Sequence, residues 1–171
     1  MKMRIVLLTA IVSMITFSLQ AQEEENIVEV IDELTVQWDA LADQLKTYEG
    51  LEQYCHTKAF RDNAIALLDD IHHYDTTLYL IVKNKFDTDK DAEARATLSD
   101  IETLETEYTT RSFLRFLRKE CMELNNLEMN KTSDAYAHDV KVLEKEMKKY
   151  LKAITRQVDV IDDHVHHLDG L

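Results

Sequence analysis

The sequence predicts an all-α fold: an elongated antiparallel up-down-up-down four-helix bundle with coiled-coil-like seams, preceded by a signal peptide. Three observations carry this expectation. The 171 residues contain no Pro and two Gly, Gly50 and Gly170. Tight turns draw on the fixed φ of Pro and the positive φ open to Gly, so a chain poor in both has few turns and long elements. Apolar residues recur at helical rather than alternating spacing. The polar segments between the apolar runs are short, which makes successive helices antiparallel neighbours.

The chain begins with a basic stretch, Met1 to Arg4, followed by an apolar run from Ile5 to Phe17. Ser18-Leu19-Gln20-Ala21 ends on a small residue, and Gln22-Glu23-Glu24-Glu25 turns acidic. This three-part layout predicts a secretory signal over residues 1–21, cleaved after Ala21, and one helical domain over 22–171. The apolar run of about 13 residues falls short of the ~20 needed to span a bilayer. No Cys stands at the cleavage point to take a lipid, and no later segment is apolar enough to cross a membrane. The signal is bacterial in style, so the expected location is the periplasm or outside the cell.

The first helix of the mature chain is expected over 24–48. Ile27, Ile31, Leu34, Trp38, Leu41, Leu45 and Tyr48 alternate spacings of four and three, an a/d seam that calls for partner helices. Gly50 reads as its C-terminal cap. The second helix is expected over 51–86, with a break near Thr57, and carries Ala64, Leu68, Ile71, Leu78, Val82 and Phe86. Asp87-Thr88-Asp89 reads as a polar turn. The third is expected over 89–128. Its stripe jumps from Leu98, Ile101, Leu104 and Tyr108 to Phe113, Leu117, Cys121 and Leu124, nearly opposite, across residues 109–112. A turn at Asn130–Ser133, with Thr132 or Ser133 as N-cap, precedes a helix over 134–168. Val140, Leu143, Met147, Tyr150, Ile154, Val158, Ile161, Val165 and Leu168 form its seam. The alternative is a three-helix stack that dimerises to cover its seams.

The formal net charge is −13, and removing residues 1–21 deletes Lys2 and Arg4 and no acid, leaving about −15. Such a chain repels phosphate backbones and anionic lipid, which argues against nucleic acid binding and against stable membrane insertion after cleavage. Cys55 and Cys121 are equidistant from Thr88, so a helical hairpin turning there sets them level. In an oxidising compartment that spacing predicts a disulfide. Its closed loop of about 66 residues would add roughly 4 kcal/mol in the chain-entropy view. Free thiols are the other possibility.

Asp75 falls inside an apolar stripe, where a carboxyl must be paired, protonated or metal-bound. His72 is one turn before it. Counting residues from the turns sets Glu105 level with Ile71 and His164 level with residue 98. His72, Asp75, Glu105 and His164 are therefore the candidate ligands of a transition metal. The competing reading is a core Asp75 hydrogen-bonded to His72 or to a neighbouring Tyr or Arg. The Glu-x-x-His pairs of di-metal bundles are missing; the Asp-x-x-His pairs are Asp69–His72, Asp70–His73 and Asp163–His166. Arg111, Arg115, Arg118 and Lys119 line one side of the third helix, as a solvated face pairing with acids or as a docking patch. Trp38 is expected in the core, and Met122, Met129 and Met147 as gap fillers. No catalytic motif is present. The sequence thus favours an exported, non-enzymatic helical bundle acting through protein contacts or self-association. The alternative is a periplasmic metal-binding bundle.

Overall fold

The computed structural model describes residues 26–170, so the expected signal peptide lies outside the described residues. Those residues fold into six helices and no strand: α1 (Ile27–Leu45), α2 (Tyr48–His56), α3 (Lys58–Lys85), α4 (Ala92–Tyr108), α5 (Thr110–Met129) and α6 (Tyr136–Asp169). Among the described residues, no helix is long and apolar enough to cross a membrane.

α1 starts where the Asn26 side chain accepts a hydrogen bond from the Val28 N–H at 3.0 Å. Of its buried residues, Ile27, Ile31, Leu34, Trp38, Leu41 and Leu45 follow the seam read from the sequence, and Val30 is buried beside it. The helix ends at Leu45, earlier than expected, and Gly50 is not its cap. Thr47 opens α2 instead, its hydroxyl accepting from the Gly50 N–H at 3.1 Å. Gly50 is buried inside α2, and neither glycine has a positive φ. A Cβ at Gly50 would lie 1.8 Å from the Gln44 carbonyl oxygen, so the position needs glycine for close backbone approach rather than for turn conformation.

Two threonines in non-helical conformation interrupt what would be longer helices. Thr57 separates α2 from α3, and Thr109 separates α4 from α5, its hydroxyl accepting from the Ser112 N–H at 3.2 Å. The second interruption explains the stripe jump: Ile101 and Leu104 are buried in α4, while Phe113, Leu117 and Leu124 are buried in α5. The cap of α4 is Asp91, beyond the predicted polar turn, accepting from the N–H groups of Glu93 and Ala94. α6 starts at Tyr136 rather than 134, and its first residues have no side-chain cap. Its buried seam passes through Leu151 rather than Tyr150, the step that keeps pace with 3.6 residues per turn between Met147 and Ile154.

α1 and α4 each pack against both α3 and α6. The polar pairs show that neighbours run in opposite directions. The Trp38 indole N–H donates to Thr155 Oγ1 at 2.8 Å, and, just past the end of α1 and earlier along α6, the Tyr48 N–H at the start of α2 donates to Glu144 Oε1 at 3.0 Å. Gln157 bonds Asp100, whereas the later His164 bonds the earlier Glu93. Beyond the end of α1, α5 and α6 continue with only the short α2 beside them. The core centres on Trp38 and Phe113, packed edge to face at 6.0 Å, with Tyr150 stacked on Phe116 at 4.0 Å.

Candidate functional site

Three places bring polar or reactive groups together, and each follows from how the helices pair. At the first, α2 lies against α5. The Cys55 and Cys121 sulfurs are 1.99 Å apart, at disulfide distance, with Cα atoms 5.5 Å apart. Next to Cys55, His56 Nε2 meets Glu128 Oε2 at 3.1 Å, and two turns before Cys55 the Tyr48 hydroxyl meets that of Tyr136 at 3.1 Å. The short helix α2 is thereby tied to both α5 and α6.

The second place is the α3–α4 seam. His72 Nδ1 lies 3.0 Å from Glu105 Oε2, and both side chains are about half exposed (50% and 44%), so this pair adds little stability by itself. Asp75, one turn along α3, is 3% exposed. Burial first, and then the neighbouring Glu105, push its carboxyl up to about 8. Burial beside Glu105 therefore favours the protonated form of Asp75 at neutral pH, while its Oδ1 has no partner. Asp75 borders a cavity of about 20 Å³ on the Trp38 side and an open groove of about 340 Å³ on the Tyr79 side.

His164 does not join them. Its ring sits between Glu93, bonded at Nδ1, and Asp100, whose Oδ2 is 3.4 Å from Nε2. Counting from the turns gave its height correctly, level with residue 98, but two acids of α4 nearer than Glu105 take both ring nitrogens. Of the four candidate metal ligands, His72 and Glu105 pair and Asp75 lies one turn along beside Glu105, but the three do not bring donor atoms within 4.8 Å of one another, and His164 lies apart. Among the described residues, the only three donor atoms within 4.8 Å of one another belong to Asp32, Asp162 and His166, largely on the surface.

No family model, no curated protein and no solved structure matches the chain. Its function has to be argued from its own surfaces.

The third place is the outer side of α5 and the cleft between α5 and α6. Arg111, Arg115, Arg118, Met122 and Met129 follow helical spacing, and all five are exposed, Met122 by 61% and Met129 by 76%. Among the described residues none of the three arginines forms an ion pair, so the pairing with acids expected of a solvated face is not found there. Next to this stripe a cleft of about 350 Å³ opens, with Leu127 and Val142 on its apolar part. Glu120, Glu123, Asp139 and Glu146 make its lining acidic. Glu120 is 1% exposed; burial raises its carboxyl above the ordinary range, and only Lys119, 3.5 Å away, opposes that rise. The sequence carried a signal for Glu120, because Phe113, Leu117, Glu120 and Leu124 keep the four-three-four spacing. Taking Cys121 for that position hid it.

Proposed function

We propose that the protein is an exported, non-enzymatic helical bundle that acts through protein contacts, and that the outer face of α5 with the α5–α6 cleft is its contact surface. One observation carries this: Arg111, Arg115 and Arg118, which form no ion pair among the described residues, share a stripe with exposed Met122 and Met129, beside an acidic cleft. Arginine and methionine are enriched where proteins meet. The antiparallel neighbours α1, α3, α4 and α6 would form the rigid four-helix part of an up-down-up-down bundle. The α5–α6 end, with only short α2 as a third helix, leaves a face uncovered. Export is supported by the basic-apolar-small layout of residues 1–21, by the Cys55–Cys121 pair at disulfide distance, and by the lack of a membrane-crossing helix among the described residues. In an oxidising compartment the cysteine pair would be a disulfide.

A photo-crosslinking amino acid at position 122, introduced in the native host, tests the surface. Adducts from position 122 and none from exposed Asp70 on α3 are expected. Equal labelling at both positions, or none at 122, would refute the assignment.

A second reading, a divalent transition-metal site at His72, Asp75 and Glu105, draws on the unpartnered oxygen of buried Asp75 and requires these side chains to move, since they do not bring three donor atoms within 4.8 Å of one another. It predicts near-stoichiometric metal in purified protein, lost in His72→Ala; elemental analysis without such metal removes it.

A further inference from the structure

We infer that the groove beside Tyr79 on the α3–α4 seam binds a small primary amine with an apolar body, its ammonium group held by Asp75 and Glu105. The inference is independent of the α5 contact surface, with which it shares no residue. It competes with the metal reading for the same two carboxyl groups.

Three observations meet in this groove. Its volume of about 340 Å³ lies in the range of small-ligand sites. Asp75 and Glu105 line both the groove and the cavity of about 20 Å³ on the Trp38 side, so both spaces reach the same two residues. Asp75 is 3% exposed and its Oδ1 has no partner, a buried polar atom of the groove wall left unsatisfied. The wall is also one-signed in charge: it holds the carboxyl groups of Asp75, Glu102 and Glu105 and no basic residue. His72, which is not part of this wall, engages one oxygen of Glu105 at 3.0 Å. A carboxylate has two oxygens, so Glu105 keeps acceptor capacity toward the groove.

These groups select among ligands. An anion would meet three carboxyl groups. A neutral alcohol would give Asp75 a donor and leave the charge of Glu102 and Glu105 unanswered. A metal ion needs several donors at about 2.0–2.2 Å, and His72, Asp75 and Glu105 do not bring three donor atoms within 4.8 Å of one another. An ammonium group takes acceptors at about 2.7–2.9 Å and carries three N–H donors on one charge. Glu105 supplies the countercharge, and a protonated Asp75 still offers its carbonyl oxygen. The Tyr79 ring already has Lys83 Nζ 5.3 Å from its centroid, which leaves the carboxyl groups as the anchor for the ligand's charge. Ile101 and the Tyr79 ring form the apolar part of the wall, where the body of the ligand loses contact with water.

Nuclear magnetic resonance titration of the full mature protein with phenethylammonium chloride tests the inference. Phenethyl alcohol and hydrocinnamate are the neutral and anionic comparators with a similar body. The amine is expected to bind saturably, moving amide signals of α3 around Asp75 to Tyr79 and of α4 around Ile101 to Thr106. It is expected to bind at least ~tenfold tighter than the alcohol, and the anion not at all. Asp75→Leu removes the buried acceptor and Glu105→Gln the countercharge; each is expected to weaken amine binding at least ~tenfold. Circular dichroism confirms that both variants fold. No saturable binding of the amine, shifts confined to another part of the molecule, equal affinity for amine and alcohol, or unchanged affinity in both variants overturns the inference. Zinc chloride titrated alone separates the two occupants of the seam. Zinc binding that is lost in His72→Ala, without amine binding, overturns the amine and leaves the metal reading. Amine binding without zinc binding supports the amine and removes the metal. If neither binds, both fail and the α5 contact surface stands.

Discussion

Asp75→Asn removes the titration of a buried carboxyl while keeping its shape. In an unfolded chain Asp75 ionises near its ordinary 3.8, whereas in the folded protein it stays protonated up to about 8. The folded state therefore holds one more proton than the unfolded state across that window. Stability from this group is complete below the lower value and is lost progressively as pH rises to the upper one. At about 1.4 kcal/mol per pH unit the full loss has a ceiling of roughly 6 kcal/mol. Water entering through the groove beside Tyr79 lowers that ceiling by easing the burial of charge. The stability advantage of Asp75→Asn over wild type should widen by about 3 kcal/mol between pH ~5 and ~8. Urea denaturation of both proteins at several pH values measures it, with the difference between the two cancelling every other titrating group. An advantage that is constant across this range, or that shrinks toward pH ~8, would refute the protonated Asp75.

Other perturbations follow from the same packing. Gly50→Ala puts a methyl 1.8 Å from the Gln44 carbonyl oxygen, so α2 must shift away from the end of α1; a loss of about 2–4 kcal/mol is expected in denaturant melts, and an unchanged midpoint would contradict the close approach. Cys55→Ala/Cys121→Ala, compared with the oxidised wild type, should lose roughly 4 kcal/mol, and free-thiol titration of native protein should find no reactive thiol. Thr155→Val leaves the buried Trp38 indole N–H without the acceptor now 2.8 Å away; a loss of about 1–3 kcal/mol is expected. Glu120→Gln should stabilise the protein at neutral pH by removing a carboxyl that burial holds above its usual range, visible as a higher melting temperature at pH ~7 than at pH ~4 relative to wild type.

The helices were legible because the four-three spacing in α1 and α6 needs no knowledge of neighbours: a stripe must be buried whatever it meets. The break at Thr109 was visible for the same reason, as a stripe that changes sides. Gly50 was misread because its reason is tertiary. A glycine wanted for close approach to Gln44 looks, in sequence, the same as one wanted for a cap. The metal-ligand set was legible in part. Height along paired helices follows from counting, which set His164 level with residue 98 and Glu105 level with Ile71. Counting does not say which acid is nearest, and Glu93 and Asp100 claimed both ring nitrogens of His164. The α5–α6 cleft could not be read, since it depends on α1 stopping at Leu45 and leaving that end with fewer helices.

Oxidative footprinting of the methionines, in the native compartment and in dilute purified protein, addresses the exposed α5 face most directly. Met147, 1% exposed, is an internal standard that should resist oxidation in both settings. Met122 and Met129 should oxidise readily in the dilute protein and be shielded in place, because another protein surface then lies over them. Equal oxidation of Met122 and Met129 in both settings would contradict a contact surface on α5.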